Sequence, residues 1–224
     1  MKESTKLSRS DLDRGLNIFG VYKPKGMTSH DVVNIIRRKF GERRVGHAGT
    51  LDPLASGVLV VAVGRESTRQ LNKFVQKEKE YLAKIMLGKT STTQDEEGVK
   101  TSIKVTRVPI RLEVEKALSR FVGKIQQVPP IYSAVKVGGV RAYKRARKGQ
   151  EVVLKAREVE IKKIVLVRFK YPVLEIRVVT GPGVYIRTLA NDIGNILKTG
   201  GYLAELERTR VGEFTKEKAV KLTN

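Results

Sequence analysis

The chain has no cysteine and only two histidines, His30 and His47. Without cysteine there is no disulfide framework, thiolate zinc site, iron–sulfur cluster or cysteine nucleophile. Two histidines cannot build a multi-histidine metal centre, and none is expected. No run approaches the roughly 18 apolar residues of a membrane span, and no charged-then-apolar leader opens the chain. The expected location is therefore the cytoplasm, with no membrane partner. Acidic residues are also scarce: 23 Asp and Glu stand against 45 Lys and Arg, a net charge of +22 over 224 residues. Such a balance points to a polyanion, and nucleic acid fits better than a lipid surface because no long amphipathic helix carries the excess charge. A hydrophobic content of 40% still supplies a core, which excludes a disordered basic tail.

The charge is not evenly spread. Residues 116–150 contain no acid, yet hold Lys116, Arg120, Lys124, Lys136, Arg141, Lys144, Arg145, Arg147 and Lys148. Tyr132 and Tyr143 lie among them. Cations neutralise phosphates and tyrosines stack on unpaired bases; a solvated surface loop would have the same composition. A second cluster is Arg37, Arg38, Lys39, Arg43 and Arg44, broken among charged residues only by Glu42.

Residues 1–15 have no pattern and are expected to form a loose N-terminal arm. A short strand is expected over 16–21. Thr28 with Asp31 three residues on predicts a capped helix to about Phe40, with Val32, Ile35, Ile36 and Phe40 on one face. The apolar run 57–63 predicts a buried strand, and the alternation over 81–87 another. Helical spacing returns at Val114, Ala117, Leu118 and Phe121, with Gly123 as a stop. Two strands, 159–169 and 173–179, flank a turn at Tyr171 and Pro172, and a last helix follows from Ile186 to about Leu197. Strands dominate and no repeated βα unit occurs. The fold class is α+β, with a mixed, mostly antiparallel sheet flanked by helices. With no linker or repeat, one domain over 16–224 is expected.

The segment 46–57 is Gly-His-Ala-Gly-Thr-Leu-Asp-Pro-Leu-Ala-Ser-Gly, leading into Val58-Leu59-Val60-Val61. Pro53 biases Asp52 towards extended backbone, and a rigid strand behind the loop would hold the carboxylate in place as a catalytic group requires. An Asp-Pro turn with no chemistry is the plain alternative.

This segment closely resembles the signature of the TruB family of tRNA pseudouridine synthases. Other motifs resemble the same family: Val21-Tyr22-Lys23-Pro24-Lys25-Gly26-Met27-Thr28-Ser29; Lys79-Glu80-Tyr81 with Leu87-Gly88 and Asp95; Pro129-Pro130-Ile131-Tyr132-Ser133-Ala134-Val135-Lys136; and Gly183-Val184-Tyr185-Ile186-Arg187-Thr188-Leu189. The resemblance implies the pseudouridine-synthase fold, with an RNA-gripping thumb loop at about 124–152. It implies isomerisation of uridine 55 in the T-loop of tRNA, with Asp52 as nucleophile on a flipped-out base. It further implies an arginine, Arg187, paired with that carboxylate, and Tyr81 stacked on the base. His47 would fill the vacated position in the RNA, and Tyr185 and Leu206 would line the nucleotide pocket. Expected RNA contacts are Lys23, Arg43, Arg44, Lys136, Arg141, Tyr143, Lys144, Arg147 and Arg208.

The implied chemistry breaks C1′–N1, turns the base and rejoins it through C5. Atoms balance, so no cofactor or metal is called for. A carboxylate suffices, attacking either C1′ or C6, and flipping brings the base within reach. The implied partner is the tRNA T-arm, with a monomeric enzyme and no obligatory protein partner. Relatives acting inside guide-RNA particles are set apart by Leu54-Ala55-Ser56 after Asp52-Pro53, which looks bacterial. Two departures stand out. The family's small C-terminal RNA-binding module is expected to be absent or vestigial, and Glu207 stands where a basic residue is common. The rival from another class is an inactive RNA-binding protein, which would have no use for the set Asp52, Tyr81 and Arg187.

Overall fold

The computed structural model describes residues 17–222, so the arm expected at 1–15 lies outside the described residues. In chain order come β1 (Ile18–Lys23), α1 (Ser29–Phe40), β2 (Val45–Ala48), β3 (Ser56–Val63), α2 (Arg65–Arg69), α3 (Leu71–Val75) and β4 (Lys79–Leu87). Next are β5 (Lys89–Ser91), β6 (Lys100–Ser102), α4 (Arg111–Ser119), β7 (Gly123–Gln127), β8 (Lys136–Val137), β9 (Val140–Arg141) and α5 (Ala142–Ala146). The chain continues through β10 (Arg157–Lys170), β11 (Val173–Thr180), α6 (Ile186–Ile196), β12 (Gly201–Val211), β13 (Phe214–Thr215) and β14 (Val220–Lys221). It divides into two compact units, Met1–Leu82 with Leu206–Asn224, and Ala83–Glu205.

In the first unit β3 is the central strand. Val58 and Val60 pack one face with Ala48 and Val211, while Leu59, Val61 and Val63 pack the other with Phe19, Val21 and α1. Burial on both faces explains its unbroken apolar run. One edge of β3 pairs antiparallel with β1; the other is shared by β2, antiparallel at 60–63, and β12, parallel at Ser56 and Gly57. β14 extends the sheet parallel to β1. Helix α1 starts as expected: the Thr28 hydroxyl accepts from Asp31 N–H at 3.1 Å, and Asp31 accepts from Thr28 N–H at 2.8 Å. It stops at Gly41, whose φ of 62° is the left-handed cap glycine permits.

In the second unit the strand order is β4-β11-β10-β7. β10 and β11 form the long expected hairpin, and β7 pairs antiparallel with the start of β10. Helix α6 buries Ile186, Leu189, Ala190 and Ile193, the stripe expected from the sequence. Gly123, expected to end a helix, instead opens β7. The mixed, mostly antiparallel sheet agrees with the expected class.

Candidate active site

In the first unit the loop between β2 and β3 is held by its shoulders. Leu51, Leu54 and Ala55 are buried around half-buried Asp52. The Ser29 hydroxyl, on the first residue of α1, donates to Leu51 O at 3.0 Å and accepts from Leu51 N–H at 2.9 Å. Gly26 N–H donates to Pro53 O at 2.8 Å, and Ala55 N–H donates to Asp52 O at 3.0 Å. Asp52 therefore sits on a backbone tied at both neighbours and by its own turn.

Three buried cations belong to the same unit. Lys23 is 0% exposed and donates to Met27 O at 2.7 Å and Pro24 O at 3.0 Å. Burial pushes its ammonium down to about 8, against the pull of Asp52. Arg208, 1% exposed, donates from Nε to Val58 O and from Nη2 to Gly49 O, both at 2.8 Å. Its guanidinium also bonds the Tyr81 hydroxyl and feels the Asp52 charge, while burial lowers its proton affinity. Lys79, on β4 two residues before Tyr81, donates to Lys77 O at 2.7 Å and Val75 O at 2.8 Å. Burial first, then Arg208, pushes it down to about 8. Main-chain carbonyls thus receive all three cations, as buried charge requires.

Tyr81 is buried at 7%, and half-buried His47 and Leu206 lie on β2 and β12. Burial, followed by Arg208 and His30, lowers the proton affinity of the His47 imidazole, and its Nδ1 is buried without a protein partner. Glu207 accepts from Tyr22 at 2.8 Å and pairs with Lys216 at 2.7 Å, which gives the departure a local structural use.

In the second unit Arg187 lies in the first turn of α6 and is buried. Its Nη1 donates to Asp95 Oδ2 at 3.2 Å and its Nη2 to Tyr132 O at 2.9 Å. Asp95 is itself held by the Thr93 hydroxyl and by Glu97 N–H at 3.0 Å. Tyr185 precedes this helix, half-buried. Lys136, Arg141, Lys144 and Arg147 are exposed along the basic segment, where Arg147 lies over the Tyr143 ring at 5.6 Å. Arg43 and Arg44 are exposed in the first unit.

Two expectations are corrected by these placements. Lys23 and Arg208 were expected among the RNA contacts, yet both are sealed from solvent, Lys23 on main-chain carbonyls and Arg208 on two carbonyls and the Tyr81 hydroxyl. Ser29, Lys79 and Asp95 stand in the motifs that resemble the family but had no role assigned to them, and Asp95 is a carboxylate that Arg187 meets.

A pinned acidic loop leading into a buried strand, with a tyrosine and buried cations in the same unit, is the kind of rigid support that a site carboxylate requires. The model for the TruB family pseudouridylate synthase N-terminal domain matches residues 37–186, and that for the tRNA pseudouridylate synthase B C-terminal domain matches 187–224. The chain belongs to the TruB family of pseudouridylate synthases. It is 47% identical over 199 residues to tRNA pseudouridine synthase B of Parabacteroides distasonis, covering 86% of this chain and 84% of that one. Over 210 residues it is 47% identical to the Thermobifida fusca protein of the same name, covering 90% and 71%. Among solved structures, a chain in a Cbf5-Nop10-Gar1 complex matches with a TM-score of 0.73 and 28% identity, over 98% of this chain. This chain spans 58% of that solved one.

Proposed function

We propose that this protein converts uridine to pseudouridine in the T-loop of tRNA, at uridine 55, with Asp52 as the nucleophile. The carrying observation is the Asp52 loop, tied through Leu51 to Ser29 and through Pro53 to Gly26. A nucleophile so held needs no reordering when the base arrives. Asp52 attacks C1′ or C6, the C1′–N1 bond breaks, the base turns and C1′–C5 forms, the bond to Asp52 breaks and returns its carboxylate, and the C5 proton leaves while N1 gains one. Tyr81, its hydroxyl bonded to Arg208, offers its ring to the flipped uracil. His47 enters the space left in the RNA, Tyr185 and Leu206 each meet the nucleotide, and Arg187 is the active-site arginine. Arg43, Arg44, Lys136, Arg141, Tyr143, Lys144 and Arg147 meet the RNA. The enzyme works as a cytoplasmic monomer without an obligatory protein partner.

Tritium release from tRNA labelled at uridine C5 tests the reading. Wild type should release label, and tRNA with cytidine at position 55 should yield none. Asp52→Asn keeps the turn and loses nucleophilicity, so release should vanish while tRNA affinity stays within about threefold. Turnover retained by Asp52→Asn would remove Asp52 from this role.

A further inference from the structure

Gln127 ends β7 as a buried primary amide, 2% exposed, to which none of the roles above falls. Its Oε1 accepts from Tyr185 N–H at 2.8 Å and its Nε2 donates to Tyr185 O at 3.1 Å. One side chain thus supplies both bonds that a neighbouring strand would make to that residue. Tyr185 is extended, with φ −101° and ψ 110°, and is the N-cap of α6 without a side-chain cap of its own. Helix starts leave amides without helical partners, so the Gln127 amide takes over part of the capping duty from outside the helix.

The same turn is tied to the residues just after Gln127. Arg187 Nη2 donates to Tyr132 O at 2.9 Å, and the Thr188 hydroxyl lies 3.3 Å from Val128 O. Segment 127–132, from which the basic loop departs, therefore holds the first turn of α6 at three points. Tyr185 carries the clamp, and Arg187 follows two residues later, so the direction of both side chains is set from the clamped backbone.

We propose that Gln127 is a positioning residue for the reaction: it fixes the backbone at Tyr185 and thereby aims Tyr185 and Arg187 at the nucleotide. This rests on the proposed pseudouridine chemistry. The role requires an acceptor and a donor at amide spacing, which ionised glutamate cannot supply because it has no donor. Methionine fills a similar volume with neither.

The test compares Gln127→Met and Gln127→Glu with wild type in single-turnover reactions at saturating enzyme, where a smaller folded fraction does not lower the rate constant. Binding of tRNA and the thermal midpoint are measured alongside, and Gln126→Met, an exposed neighbour, is the control. Both Gln127 variants should lose about 10- to 100-fold in the saturated rate, the scale of an ångström-size misplacement. Their tRNA Kd should stay within about threefold, the pattern of positioning lost rather than binding lost. Gln126→Met should match wild type. If Gln127→Met does not fold, Gln127→Asn, which keeps the amide but falls one methylene short of Tyr185, carries the same expectation. Saturated rates within about threefold of wild type, or a loss seen only in Kd, would overturn the proposal. Wild type that forms no pseudouridine would instead sink the proposed reaction, and this inference with it.

Discussion

Lys79 shows how a single buried charge shapes behaviour in solution. Its ammonium is pushed to about 8 from an ordinary 10.5, chiefly by burial and then by Arg208. A neutral amine still has two N–H donors for Val75 O and Lys77 O, so losing the proton need not cost the hydrogen bonds. Because the folded value is lowered, the unfolded chain binds more protons between about pH 8 and 10.5, and stability rises with pH across that window. Below the window the burial penalty is present in full. Lys79→Met removes the titration. Urea unfolding should show wild type gaining roughly 3 kcal/mol relative to Lys79→Met between about pH 7.5 and 10.5. Parallel pH profiles for the two proteins would mean that the folded ammonium remains solvated. Lys23 has the same lowered value, but it answers partly to Asp52, so Lys79 is the cleaner probe.

At the level of elements, the pairing of β3 with β12 places Arg208 behind the Asp52 loop. It depends on Gly57, whose φ is 114° and whose register partner on β12 is Arg208. A Cβ there would stand 2.2 Å from Arg208 O and 2.6 Å from Arg208 N. Both obstacles are backbone, so neither can swing aside. Gly57→Ala combines that clash with a left-handed backbone and should cost at least about 3 kcal/mol in urea unfolding. Activity of any folded remainder should fall too, because Arg208 bonds the Tyr81 hydroxyl and the Gly49 carbonyl from this pairing. A variant with wild-type stability would show that β12 can part from β3 without loss.

Across the whole molecule, the excess of cations governs how RNA is met. Lys23 and Arg208 are spent inside the protein, whereas Arg141, Lys144 and Arg147 are exposed. Each phosphate neutralised steepens the logarithmic salt dependence of binding by about 0.7 to 0.9. Replacing Arg141, Lys144 and Arg147 together by glutamine should flatten the slope by about 2 to 3 and raise KM more than it lowers kcat. In the proposed reading these side chains meet phosphates rather than the reacting base, so their loss removes binding common to ground and transition states. Steady-state kinetics across a salt series measures both effects, and an unchanged slope would move the RNA contacts elsewhere.

The amino-acid sequence alone determined what short-range patterns govern. Thr28 and Asp31 announced the start of α1, the unbroken run of β3 its burial on two faces, and the 186–197 stripe the inward side of α6. The motif around Asp52 and its resemblance to the TruB family were legible because they are contiguous. Strand β12 was not, since Gly201–Val211 mixes Leu203 and Val211 with Glu205, Glu207, Arg208 and Arg210 in no simple alternation. Nor was the burial of Arg208, because an arginine is expected at the surface unless partners are known. Its partners Val58 and Gly49 lie 150 and 159 residues earlier in the chain. Gln127 was missed for the same reason, as its two bonds reach Tyr185 across 58 residues. Local periodicity follows from helix and strand geometry, but a buried polar group is tolerable only where distant backbone supplies its hydrogen bonds, and that supply exists only once the chain has folded.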